Sequence, residues 1–166
     1  LRLRKEGIIN PILVLGYTMS SRIREAAEHD IAISVSTFET LNVLASTRAH
    51  PHFHIKLDTG LHRQGFLEAD MPNLIRVLDS SRLIPEGVFT HFASAKNPHD
   101  RGYTEMQIKK YRAMEDSLQK KIGSALIRHT AATGGTLLYP EAHFDMVRIG
   151  MGLYGYWPSK EIGIMN

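Results

Sequence analysis

The chain has 166 residues, 43% of them apolar, and a net charge of +3 from 20 basic and 17 acidic side chains. That is a one-domain length with enough apolar side chains for a sizeable core. The basic excess is scattered over Arg2, Arg4, Lys5, Lys109, Lys110, Lys120 and Lys121, without the clustered stripe that a nucleic-acid surface needs. The absence of cysteine excludes disulfides, thiolate metal sites and cysteine nucleophiles. No apolar run approaches the roughly 20 residues of a bilayer span, and no charged-then-apolar leader opens the chain. The expectation is a soluble cytoplasmic protein without nucleic-acid or membrane partners.

Leu1 to Glu6 followed by Gly7 reads as the last turns of a helix and its C-cap. The lack of an initial methionine and of a tail after Asn166 reads as two cuts through a longer protein. Residues 12–16 form a short continuous apolar run, the mark of a strand covered on both faces. Ser20 and Ser21 then stand as caps for a helix over 23–29. A second strand covers 31–35, and a helix over 37–47 follows with Phe38, Leu41 and Leu44 at spacings of three. The third strand covers 52–58, with a helix over 71–79, and the fourth covers 87–93. A long helix over 104–122 carries Met106, Ile108, Tyr111, Met114 and Leu118 on its apolar face. The fifth strand covers 126–131 and a short sixth covers 145–148.

Alternating strands and helices with continuous apolar strands imply an α/β fold with a parallel sheet under helical cover. An open doubly wound sheet and a (β/α)8 barrel both satisfy that pattern. No G-x-G-x-x-G fingerprint follows a strand, which weakens the dinucleotide-binding open sheet. Asp58, His91, His129 and Arg148 stand at strand C-terminal ends, where a barrel keeps its chemistry. The expectation is an incomplete (β/α)8 TIM-type barrel with about six of eight strands present.

In the third strand, side-chain alternation places Phe53, Ile55 and Leu57 toward the helices. It places His52, His54, Lys56 and Asp58 on the inner face. A metal reading of the His-x-His pair finds no third ligand at suggestive spacing, so no metal is expected. Lys56 and Arg63 inside a barrel repel each other and are costly to desolvate. Asp58 offsets one of them, or carbon dioxide converts Lys56 to a carbamate that pairs with Arg63. The run from His129 to Gly135 ends a strand with hydroxyls and two glycines. The run from Asp145 to Gly155 then stands where barrels often bind phosphate through backbone N–H groups. Gly134, Gly150 and Gly152 would let the backbone approach closely, and Thr133 would add a hydroxyl.

At this point three segments resemble the alanine racemase family. They are His54-Ile55-Lys56-Leu57-Asp58-Thr59-Gly60-Leu61-His62-Arg63-Gln64-Gly65-Phe66, then Thr90-His91-Phe92-Ala93, and then His129 to Thr133 with Phe144 to Tyr156. In order and at matching intervals, they cover essentially the whole chain but only the middle of the family's sequence. The resemblance implies a fold-type III pyridoxal 5′-phosphate enzyme that interconverts L- and D-alanine as a homodimer, supplying D-alanine for peptidoglycan. It implies that Arg148 donates to the cofactor's pyridine nitrogen, with His91 and His129 flanking it. It makes Thr133, Gly150 and Met151 the phosphate donors and brings Arg63 to the phenolic oxygen and the substrate carboxylate. Lys56 matches a lysine that some members carboxylate. The lysine that holds the cofactor covalently would lie before Leu1, and the tyrosine base would come from a partner's β-rich domain after Asn166. On that expectation residues 1–166 are a partial cofactor-binding barrel, inactive by itself.

Three positions depart from the family pattern: Ala132 replaces an asparagine, His62 a glycine, and Lys96 an acidic residue. Three other readings compete. One is a racemase of serine or another small amino acid, one a pyridoxal-phosphate-binding barrel protein without turnover, and one a decarboxylase of the same fold. Arg148 argues against the last, which usually holds the pyridine nitrogen with an acid.

Overall fold

The computed structural model describes residues 1–165. Five strands, β1 (Ile12–Val14), β2 (Ile31–Val35), β3 (Phe53–Lys56), β4 (Gly87–Phe89) and β5 (Ile127–His129), form one parallel sheet. Their order is β1-β2-β3-β4-β5. Strictly consecutive order separates the two candidate architectures, because a doubly wound sheet reverses its strand order at a switch point. The sheet is an arc of a (β/α)8 barrel.

The expected sixth strand is absent. Residues 145–148 contribute a single parallel bridge between Ala132 and Arg148, so the sheet has five strands rather than six. Asp145 instead turns back on β5: its carboxylate accepts from the Arg128 backbone N–H at 2.8 Å and from the Arg128 guanidinium at 2.9 and 3.1 Å. The segment still runs beside β5: the Asp145 and Met146 N–H groups both reach the Arg128 carbonyl, at 3.1 and 3.3 Å, and the Arg148 N–H reaches the Ala131 carbonyl at 2.9 Å. That doubled contact and the carboxylate on the strand's backbone interrupt a regular ladder.

Among the described residues seven α-helices accompany the strands: α1 (Arg2–Lys5), α2 (Ile23–Glu28), α3 (Phe38–Ser46), α4 (Met71–Ser80), α5 (Gly102–Ile122), α6 (Thr133–Leu138) and α7 (Lys160–Met165). Gly7 takes a positive φ of 84° just after α1, as its place in the sequence predicts. Thr37 caps α3 by accepting the Thr40 N–H at 3.2 Å. Ser20 and Ser21 cap nothing, because they lie inside a 3-10 turn that leads into α2. α6 was not expected, since two glycines at its start read as a loop.

The core lies between the outer face of the sheet and the helices. Ile33, Val35, Phe53, Ile55, Leu57 and Val88 pack against Leu41, Leu44, Leu74, Leu78, Tyr111 and Leu118. Met106 is exposed, and α5 instead buries Thr104, Gln107 and Glu115 beside its apolar residues. β1 is only partly covered, against the expectation of a strand buried on both faces, because it lies at the edge of the sheet.

The inner face is polar. Ser34, His54, Lys56 and His129 are buried there. The register sets Lys56 beside Phe89 and Phe89 beside His129 across three strands. Period-two alternation thus delivers one strand's side chains to two different solvents.

Candidate active site

At the C-terminal ends of β3, β4 and β5 lies a cavity of about 500 Å³, lined by Lys56, Arg63, Phe89, His91, Thr133, Gly134, Arg148, Gly150, Met151 and Lys96 among others. Its lining carries four cations and no carboxylate. Such a site fits an anionic ligand of small-cofactor size.

Arg148 is the most constrained group. Its Nη1 donates to His129 Nδ1 at 2.7 Å and to the His129 carbonyl at 2.8 Å. Its Nη2 donates to the Thr90 carbonyl at 2.8 Å and the Thr130 carbonyl at 3.0 Å, with a longer contact to His91 Nδ1 at 3.4 Å. Burial lowers its pKa to about 10, which leaves it charged at neutral pH. Both terminal nitrogens are engaged by the protein, and among the described residues the Nε–H has no protein acceptor.

His91 borders the cavity, and its pKa falls to about 4 through burial, then through Arg148, Arg63 and Lys56. His129 is fully buried behind Arg148 and is not part of the lining. Its pKa falls to about 2 through burial and then through Arg148 and His54. Both imidazoles are therefore neutral at pH 7.

Lys56 is buried on the inner face, its pKa lowered to about 8 by burial, then by Arg63 and Arg148, against a smaller pull from Asp58. Asp58 has a more local task than balancing Lys56. Its Oδ1 accepts the backbone N–H groups of Gly60, Leu61 and His62 at 2.9, 3.0 and 3.1 Å. It thereby shapes the loop that presents Arg63 to the cavity. His62 holds a φ of +53° in that loop, the region where a side chain costs energy and glycine does not.

Thr133 opens α6, and its Oγ1 accepts the N–H groups of Gly150 at 3.1 Å and Gly152 at 3.3 Å. The hydroxyl's own proton remains to donate. The Gly150 N–H, expected to face a phosphate, is instead bonded to Thr133. A Cβ at Gly134 would lie 2.8 Å from the Ala95 carbonyl, and one at Gly152 would lie 2.8 Å from Thr133 Cγ2. Close packing requires those two glycines, whereas Gly150 faces open space.

Residues 1–158 match the family model described as "Alanine racemase, N-terminal domain". The chain belongs to that family. It is 35% identical over 167 residues to alanine racemase 1 of Oceanobacillus iheyensis, covering 98% of this chain and 44% of that protein. It is 35% identical over 166 residues to the alanine racemase of Methanococcus maripaludis, covering 96% of this chain and 44% of that one. Among solved structures, the alanine racemase of Streptomyces lavendulae superposes with a TM-score of 0.88 at 33% identity. That of Bacillus anthracis with bound L-Ala-P gives 0.88 at 32%. These cover 98% and 99% of this chain and 44% of each structure. The chain thus spans less than half the length of the relatives it matches.

Within this racemase domain, all the expected site residues except His129 meet at one cavity. Two features escaped the sequence. Gln107, fully buried on α5, accepts the Ala93 N–H at 2.9 Å and donates to Thr59 Oγ1 at 3.2 Å. It pins the strand end that carries His91, and nothing but its place on the buried face of a helix could have signalled it. His54, which alternation places inward, bonds His129 at 2.8 Å and Glu86 at 3.2 Å. Among the described residues no helix is long and apolar enough to cross a membrane, and no cluster suits a metal ion.

Proposed function

We propose that this chain is the cofactor-bearing part of a racemase that interconverts L- and D-alanine with pyridoxal 5′-phosphate, acting as a cytoplasmic homodimer. The observation that carries the reading is Arg148, locked through both terminal nitrogens with its Nε–H left, among the described residues, without a protein acceptor. The cavity fits the cofactor: its lining is cationic, its volume suits a small aromatic phosphate, and a threonine hydroxyl retains a free proton. When bound, the cofactor supplies an electron sink for the pair left on the substrate α-carbon.

Each residue's part follows from its chemistry. Guanidinium donates only and does not give up its proton. Arg148 facing the pyridine nitrogen would leave that nitrogen unprotonated and the cofactor a weaker electron sink. Held so, the site would favour return of a proton to the α-carbon over transamination. Thr133 would hold the phosphate through its free hydroxyl proton with the Met151 N–H, while the Gly150 N–H holds Thr133 in place. Arg63 would bind the substrate carboxylate, and His91 contacts Arg148 as a neutral ring. Carbamylated Lys56 would pair with Arg63 as an anion. The Bacillus anthracis relative carries L-Ala-P, a named ligand that agrees with an alanine-sized substrate.

The test is D-alanine formation from L-alanine with added cofactor, using the full-length protein. Robust turnover that collapses in Arg148→Ala and Arg63→Ala variants supports the assignment. Tight cofactor binding without turnover replaces it with a non-catalytic barrel protein or another amino-acid substrate.

A further inference from the structure

Beneath the cavity a hydrogen-bonded chain crosses the inner face of the sheet. It starts at Glu86, half-exposed just before β4 and so at the end of the sheet away from the cavity. Glu86 Oε2 lies 3.2 Å from His54 Nε2, and His54 Nδ1 lies 2.8 Å from His129 Nε2. His129 Nδ1 lies 2.7 Å from Arg148 Nη1.

One end of this chain fixes every proton in it. Arginine has no acceptor, so His129 Nδ1 must accept, and the His129 proton sits on Nε2. That proton leaves His54 Nδ1 as the acceptor, which puts the His54 proton on Nε2, aimed at a carboxylate. The donors therefore run in one direction from Arg148 to Glu86, and both rings are neutral. Burial pushes both imidazole pKa values down, in His129 together with Arg148 and His54, and in His54 against the upward pull of Glu86 and with a smaller downward push from His52.

The geometry is built rather than incidental. His129 stacks on Phe89 with centroids 4.7 Å apart and ring planes 8° apart, and His54 meets His129 at 5.0 Å. The His54 ring passes over β4 where the residue is Gly87, and a Cβ there would overlap His54 Nδ1 and lie 2.6 Å from the Ile127 carbonyl.

We propose that Glu86 and His54 are positioning residues for Arg148, forming a carboxylate-anchored relay that holds His129 as an acceptor and so fixes the guanidinium at the cavity. The arrangement matches the way a carboxylate behind a metal-ligating histidine fixes its tautomer and raises its basicity. The consequence for cofactor binding rests on the role proposed above for Arg148, but the proton arrangement does not.

The experiment is nitrogen-15 NMR of labelled histidines in the full-length cofactor-free protein, paired with cofactor titration. His54 and His129 should each carry their proton on Nε2, unchanged between about pH 6 and 8, where an ordinary histidine titrates. Glu86→Ala alters the half-exposed end, where the other carboxylate oxygen also faces His52 Nδ1 at 3.8 Å, and should shift the His54 signals and, through them, those of His129. His54→Leu should disturb the His129 tautomer and weaken cofactor binding by about tenfold, the scale of outer-shell partners. His54→Asn, which can present an acceptor near the lost Nδ1, should restore the His129 signature and most of the affinity. A proton on His129 Nδ1, a charged His54 at neutral pH, or His129 signals indifferent to Glu86→Ala would overturn the relay. If no cofactor binds while the tautomers are as stated, the relay stands and the function proposed above fails.

Discussion

Lys56→Met tests how the barrel interior treats its buried cation. The lysine is 3% exposed, and its amine borders a cavity it shares with Arg63 and Arg148. Burial, then Arg63, then Arg148 bring its pKa from 10.5 to about 8. At about 1.36 kcal/mol per pH unit, that drop makes the ammonium about 3.4 kcal/mol less favourable here than in the unfolded chain. Water in the cavity screens part of it, so about 2 kcal/mol is the expected measurable effect. The sign follows from proton counts. Between pH 8 and 10.5 the unfolded chain binds more protons than the folded one, so stability rises with pH across that window. Below it the full penalty is present. Methionine fills a similar volume without charge. In carbon-dioxide-free buffer the apoprotein of the Lys56→Met variant should therefore be about 2 kcal/mol more stable at pH 7 and lack the alkaline rise. Urea unfolding at several pH values measures both. Equal pH slopes in the two proteins, or a variant less stable at pH 7, would refute the argument. Adding bicarbonate supplies a second arm. If Lys56 forms a carbamate, the intact mass rises by one carbon dioxide and the stability order reverses.

Other consequences are as specific. Asp58→Ala leaves three loop N–H groups without their shared acceptor, costing about 2–4 kcal/mol and raising KM through Arg63; kinetics and melting read the two effects. Burial raises the Asp58 pKa, but the N–H donors of Gly60, His62 and Leu61 outweigh it and hold the carboxyl below its ordinary 3.8. Its contribution should therefore persist at neutral pH and fade only as pH falls through that depressed value. His62→Gly relieves a left-handed side chain and should raise stability by about 1 kcal/mol in thermal melting; no gain would mean that the loop holds His62 without strain. Thr133→Val removes the acceptor for Gly150 and Gly152 and should weaken cofactor binding by about tenfold, equivalent to one hydrogen bond of about 1.4 kcal/mol. Thr133→Ser should retain the affinity in the same fluorescence titration.

The local rules that the sequence obeys also limit what could be read from it. Period-two alternation in β3 is enough to send Phe53 and Ile55 to the helices and His54 and Lys56 inward, and the register across β4 and β5 agrees with it. Motif resemblance gathered Arg63, His91, Thr133 and Arg148 into one site, and their common cavity is consistent with that grouping. Strand existence was legible because apolar runs between turn residues are local signals. Strand fate was not. Residues 145–148 have a strand's composition and run beside β5, yet the Asp145 carboxylate and a doubled N–H contact on the Arg128 carbonyl interrupt the ladder, and no property of residues 145–148 alone records that partner. β1 reads as buried, but its coverage depends on having a neighbour on both sides.

By itself, then, the sequence determined the alternating α/β order, the two faces of the central strand and the identity of the cationic groups, because each is set by spacing within a few residues. Only the tertiary structure decided that His129 lies behind Arg148 and not in the cavity wall. It also assigned Asp58 to a loop and not to Lys56, and joined Glu86 to the same chain of hydrogen bonds as Arg148. The links from Glu86 to His54 and from His54 to His129 cross separations of 32 and 75 residues and arise only when parallel strands bring distant segments into register, where a glycine at position 87 leaves room for an imidazole to pass.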